Sequence, residues 1–171
     1  MPREHPRDPP PAPPLERRWQ FHRLQLIGVP LLLAAPALAL TGHLGGARER
    51  VELHQSGLGL ALEYATRDHL DNWSRLELTI RNESAAPLLD LQAAFARDLL
   101  RGLARPQFQP ALDRIDGAAY VVALGTLPAG DVRVIALDYQ PAEVGRHAGV
   151  IHVRSGGREL AQLPVALVTL P

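Results

Sequence analysis

The 171-residue sequence contains no cysteine and no lysine, and all 18 of its basic side chains are arginine. Without cysteine there is no disulfide framework, no thiolate metal site and no cysteine nucleophile. The arginines are matched by 18 carboxylates. A neutral chain lacks the basic stripe that neutralises phosphates, so nucleic acid is not an expected partner. Aromatic residues make up only 5% of the chain, which is thin for platforms that stack bases or sugars. Arginine in place of lysine, with abundant alanine, leucine and glycine, is the composition expected of a GC-rich bacterial gene. The length suits one modest domain with appendages.

What is present is divided sharply along the chain. Residues 1–23 hold seven prolines, all before Leu15. Proline fixes φ and removes an amide donor, so this stretch is predicted to be a disordered or polyproline-II-like tail. A solvated tail is favoured there over a ligand for a proline-binding groove.

Residues 24–40 read LQLIGVPLLLAAPALAL, with Gln25 the sole polar member and no charge. A helix rising ~1.5 Å per residue would span roughly 26 Å here, and more than about 30 Å if it continues through Leu44. A buried helix of a soluble domain would keep a polar face, and membrane helices tolerate prolines such as Pro30 and Pro36. Residues 24–44 are therefore predicted to form a transmembrane helix in contact with the lipid bilayer. Arg17, Arg18, His22 and Arg23 precede it, with Trp19 and Phe21 as interfacial anchors, while Arg48 and Arg50 behind it are offset by Glu49. The positive-inside rule then keeps the N-terminus in the cytoplasm and sends the remainder outside a bacterial cytoplasmic membrane. The rival reading is a signal peptide cleaved after Ala37-Leu38-Ala39, which would release a secreted soluble binding domain. Arg17-Arg18-Trp19-Gln20-Phe21 also resembles a twin-arginine export signal, with the phenylalanine one place late.

Residues 45–57 are read as a linker and first strand region, and residues 58–171 as a β-sandwich. Residues 47–171 carry 13 arginines against 15 carboxylates, a net charge of −2. Period-two alternation dominates. Leu76, Leu78 and Ile80 share one face of a strand from Trp73 to Arg81, with Arg75, Glu77, Thr79 and Arg81 on the other. Further strands are predicted at Leu58–Thr66, from Leu89 through Leu91 and Ala93 to Phe95, and at Ala118–Leu124, Val132–Tyr139, His147–Arg154 and Leu160–Leu170. Asn82 to Pro87 and Leu127-Pro128-Ala129-Gly130 supply turn chemistry, and Gly156-Gly157 is a hairpin signal. Asp98–Ala104 alone looks helical. About seven short strands with no long helix argue an all-β, antiparallel, immunoglobulin-like sandwich, with an up-and-down barrel as the alternative. Trp73 fits either a core position or a strand end.

The phrases LELTIRNESAAPLLDLQAAF and LGTLPAGDVRVIALDYQP resemble bacterial immunoglobulin-like or fibronectin III-like envelope domains over roughly residues 58–170. The first matches their strand, asparagine turn and strand, and the second their later Pro-x-Gly hairpin. The resemblance implies a binding or spacer module and carries over no catalytic residue.

Catalytic, cofactor and metal sites are not expected. His147 and His152, five apart in a strand, point to opposite faces. Asp68, His69 and Asp71 could join Glu63 in a weak metal site, although a solvated turn explains them. None of Ser56, Ser74, Ser84 and Ser155 lies in a nucleophile elbow. Gly57-Leu58-Gly59 lacks the third glycine of a nucleotide loop. Asn72-Trp73-Ser74 and Asn82-Glu83-Ser84 match the glycosylation sequon, but turn roles suit these asparagines better. Glu52, Glu63, Glu77 and Glu83 fit solvated strand faces or turns, and an envelope hydrolase with a carboxylate or histidine site is the alternative function. The favoured expectation is a non-enzymatic binding or assembly module for a membrane or cell-envelope protein. Its edge strands are open to homo-oligomer formation.

Overall fold

A computed structural model of the chain describes residues 48–171, together with Gly28, Pro30 and Ala34, each helical. The expected tail at 1–23 and membrane helix at 24–44 lie outside the described residues, apart from those three positions. No helix among the described residues is long and apolar enough to cross a membrane. The chain divides into two units at Gly45/Gly46, and the second carries the sandwich.

That unit contains eleven strands and one short helix: β1 (Arg48–Gln55), β2 (Leu58–Ala65), β3 (Arg67–His69), β4 (Ser74–Asn82), β5 (Leu88–Ala96), α1 (Arg97–Leu100), β6 (Leu103–Gln109), β7 (Arg114–Asp116), β8 (Ala119–Leu127), β9 (Val132–Pro141), β10 (Gly145–Ser155) and β11 (Arg158–Leu170). They form a five-stranded sheet in the order β1-β2-β4-β9-β6 and a six-stranded sheet in the order β3-β11-β10-β5-β8-β7. The all-β, two-sheet architecture is as predicted, and two separate sheets replace the barrel alternative. Pairing is antiparallel except between β3 and β11, which run parallel.

The core is built largely from the inward faces that alternation defines, with Leu99 and Leu100 of α1 added. Leu58, Leu60, Leu62 and Tyr64 of β2, and Leu76, Leu78 and Ile80 of β4, are all buried. Leu91, Ala93 and Phe95 of β5 and Ile151 and Val153 of β10 oppose them from the second sheet. Phe108 packs edge-on against Phe95 at 5.2 Å between ring centroids and stacks on Tyr120 at 6.4 Å. Gly156 and Gly157, at φ 56° and 77°, turn the β10–β11 hairpin as expected.

Three expectations need correction. The strands number eleven rather than about seven. β3 and β7 have three residues each, too few to show a period, and β6 is broken by Pro106 and by Arg105 at φ 51°. The helical reading of Asp98–Ala104 holds only to Leu100, since Leu103 and Ala104 already belong to β6. Leu89 does not share the buried face of Leu91. It is 59% exposed, because a bulge at Asp90 (φ 50°) reverses the alternation and brings Leu88 against the core instead. Trp73, whose sequence context fits either a core position or a strand end, is 54% exposed immediately before β4, at the strand end.

Candidate recognition site

The outward face of the five-stranded sheet is built by the residues that alternation excludes from the core. Strand register lines them up in rows: His54, Gly59, Arg81 and Val132 in one, Glu52, Ala61, Thr79 and Val134 in the next. Because β2 contributes only glycine and alanine to these rows, the sheet is low along β2 and high on both sides. The result is a trough of about 300 Å³, floored by Gly59 and Ala61. Arg50, Glu52 and His54 of β1 form one wall, and Thr79, Arg81 and Val132 form the other. Val134, 45% exposed, extends the apolar shoulder on β9.

One end of the trough is closed by a pair. Glu83, in the turn after β4, extends over Gly59 and holds His54, whose Nδ1 lies 3.0 Å from Oε2 and 3.1 Å from Oε1. A Cβ on Gly59 would stand 2.4 Å from the Glu83 carboxylate, so the missing side chain is what opens the path. The hydrogen bond to Glu83 and its charge raise the His54 pKa above the ordinary 6.5. Farther along the same face, Arg75 grips Asp138 in a fork, Nε to Oδ1 at 2.7 Å and Nη2 to Oδ2 at 2.9 Å, across an in-register β4–β9 pair. The Arg75 hydrogen bond holds the Asp138 carboxyl below its ordinary range.

The base of the turn that carries Glu83 is fixed by Asn82. Its side chain is fully buried, and Nδ2 donates among the carbonyls of Ala86, Leu127 and Pro128 at 2.8–3.1 Å. Its Oδ1 accepts from the Ser84 amide at 3.0 Å and from the Ser84 hydroxyl at 2.7 Å. One asparagine thus ties the β4–β5 turn to the β8–β9 hairpin. The turn role expected of Asn82 is the one seen.

The other singled-out residues do not converge. Glu63 pairs with Arg48 at 3.4 Å on the outward face. Asp68 accepts from the Tyr139 hydroxyl at 3.2 Å, and burial with the nearby Asp68 charge pushes the Tyr139 pKa up. His69 Nδ1 donates to the Pro171 carbonyl at 3.2 Å. Asp71 occupies a left-handed turn position at φ 61°. His147 donates to the Glu143 carbonyl at 3.0 Å, whereas His152 contacts Glu159 at 2.8 Å. A hydrogen bond from Gln162, then that from His152, lowers the Glu159 pKa. Among the described residues, no three histidine or acidic side chains are placed to hold a metal ion.

Sequence reasoning gave His54 no role and weighed Gly59 only as part of a nucleotide loop. The available signal was a glycine inside an alternating strand, which marks a bulge or the close approach of another group.

No family model and no curated protein matches the chain. Among solved structures it is similar to the CARDB domain of a Pyrococcus furiosus protein, at 8% identity and TM-score 0.43, over 71% of this chain and 95% of that one. It is also similar to the GAE domain of GGA2p from Saccharomyces cerevisiae, at 13% identity and TM-score 0.35, over 72% and 97%. A third is the ASH/PapD-like domain 7 of human CEP192, at 8% identity and TM-score 0.37, over 68% and 87%.

Proposed function

We propose that the protein is a single-pass membrane protein whose β-sandwich lies outside the bacterial cytoplasmic membrane. There it acts as a non-catalytic binding or assembly module for a membrane or cell-envelope protein. The observation that carries this reading is the trough over Gly59 and Ala61. Its walls pair an apolar shoulder, Val132 and Val134, with the Arg81 side chain and the His54–Glu83 pair. An apolar strip rimmed by oriented charges suits a protein surface. The charged side chains here close into separate pairs, Arg50–Glu52 along β1 and His54–Glu83 across Gly59, instead of converging on one point, as acid–base catalysis requires.

The test is affinity capture of the full chain from detergent-solubilised membranes, beside a Thr79→Arg variant that fills the trough. The reading expects a co-purifying membrane protein that the variant loses. No such protein, or one retained equally by the variant, contradicts it. Protease treatment of intact spheroplasts should remove residues beyond about 47 and spare the tail, whereas a mature N-terminus at Leu40 establishes the cleaved signal peptide instead.

A further inference from the structure

The five-stranded sheet ends in β1 and β6, and the six-stranded sheet in β3 and β7. Three of these edges resist further pairing. β3 and β7 are three residues long, and β6 carries Pro106 and a register break between Ala104 and Gln107. β1 differs: it pairs with β2 over eight consecutive residues without a shift and contains no proline. Its other side faces no strand among the described residues.

We propose that β1 pairs antiparallel with β1 of a second copy of this chain, with the two-fold axis through Val51. The edge is charged, but not with one sign, and repulsion guards an edge only when like charges meet. Around a dyad at Val51, Arg50 stands opposite the partner's Glu52, and symmetry makes this pair twice. In the protomer the Arg50 Nε donates to Glu52 Oε1 at 2.8 Å, and both side chains are more than half exposed on the outward face. Both groups are therefore within reach of a strand added alongside. On the inward face Val51 meets the partner's Val51.

Neighbouring registers fit less well. A dyad at Arg50 sets two arginines face to face, one at Glu52 sets two glutamates, and one at Leu53 pairs five residues instead of seven. The outermost pair of the Val51 register brings Arg48 opposite the partner's His54, but each already has its own carboxylate, Glu63 and Glu83 respectively. The pairing would fuse two five-stranded sheets into one of ten strands and set two troughs side by side. It stands apart from the partner reading above, since it concerns the chain and its own copy.

Sedimentation equilibrium of the full chain in detergent tests it. The wild type is expected at twice the protomer mass, and Arg50→Glu and Glu52→Arg, each alone, at one protomer mass. An equimolar mixture of the two variants should recover the dimer. In the mixed pair every 50–52 contact between chains joins opposite charges, while the contacts within each strand remain repulsive. Unfolded variants could not be rescued in this way. Wild type at one protomer mass, variants that remain dimeric alone, or a mixture that stays monomeric each overturns the proposal. Diamide oxidation of Val51→Cys should give a covalent dimer, because opposed residues of antiparallel strands lie at disulfide distance and the chain has no other cysteine. Cross-linking by Leu53→Cys in its place overturns the register.

Discussion

Glu83 reaches His54 by lying across Gly59, and the contact at 3.0 Å exists because β2 has no side chain there. The raised His54 pKa is the titratable sign of that contact. The protonated imidazole is the form the pair favours. Its contribution to stability is present in full below the ordinary value of 6.5 and is lost as pH rises through the raised folded value. Gly59→Ala should fold, since the group that must give way is the far end of a flexible side chain. It should also displace the carboxylate. NMR titration of the His54 ring is expected to show a midpoint above 6.5 in the wild type, falling towards it in both Gly59→Ala and Glu83→Gln. An unchanged midpoint in either variant would contradict the contact.

The core of β4 gives a second test. Leu78 is completely buried, whereas its neighbour Glu77 is half-buried on the outward face, directly opposite the like-charged Glu63 of β2. Leu78→Ala should cost about 2–5 kcal/mol, the usual range for a buried leucine. Glu77→Ala should cost less than about 0.5 kcal/mol, as expected of an outward-facing surface side chain that stands opposite a like charge. Denaturant unfolding of both variants measures the difference, and a larger loss for Glu77→Ala would reverse the face of the strand.

Asn82 is expected to be the most sensitive polar position in the sandwich. Asn82→Ala strips the donors from buried carbonyls in two turns and the acceptor from Ser84, and each unsatisfied group costs about 1–3 kcal/mol. Asn82→Asp keeps the acceptor for Ser84 but points a carboxylate oxygen at the carbonyls of Ala86, Leu127 and Pro128. The protonated acid would be the favoured form, so the stability of this variant should rise as pH falls, opposite to the usual trend for a paired aspartate. Urea titrations at two pH values would show it, and a pH-independent loss would falsify the donor role of the amide.

Period-two alternation by itself determined the inward faces of β2 and β4, which supply much of the core. A strand has two faces, so placing Leu76, Leu78 and Ile80 inward forces Glu77 and Thr79 outward without any knowledge of neighbours. The hairpin at Gly156-Gly157 was equally legible, because glycine accepts positive φ without steric cost. Only the tertiary structure decided the rest, for reasons that lie between strands. The bulge at Asp90 that turns Leu89 outward and the three-residue strands β3 and β7 are set by the partners they meet, not by a local pattern. The trough depended on β2 lying between β1 and β4, and His54 and Glu83, 29 residues apart in sequence, become neighbours only through that order. Local alternation says which way a side chain points; the order of strands in a sheet says what it meets there.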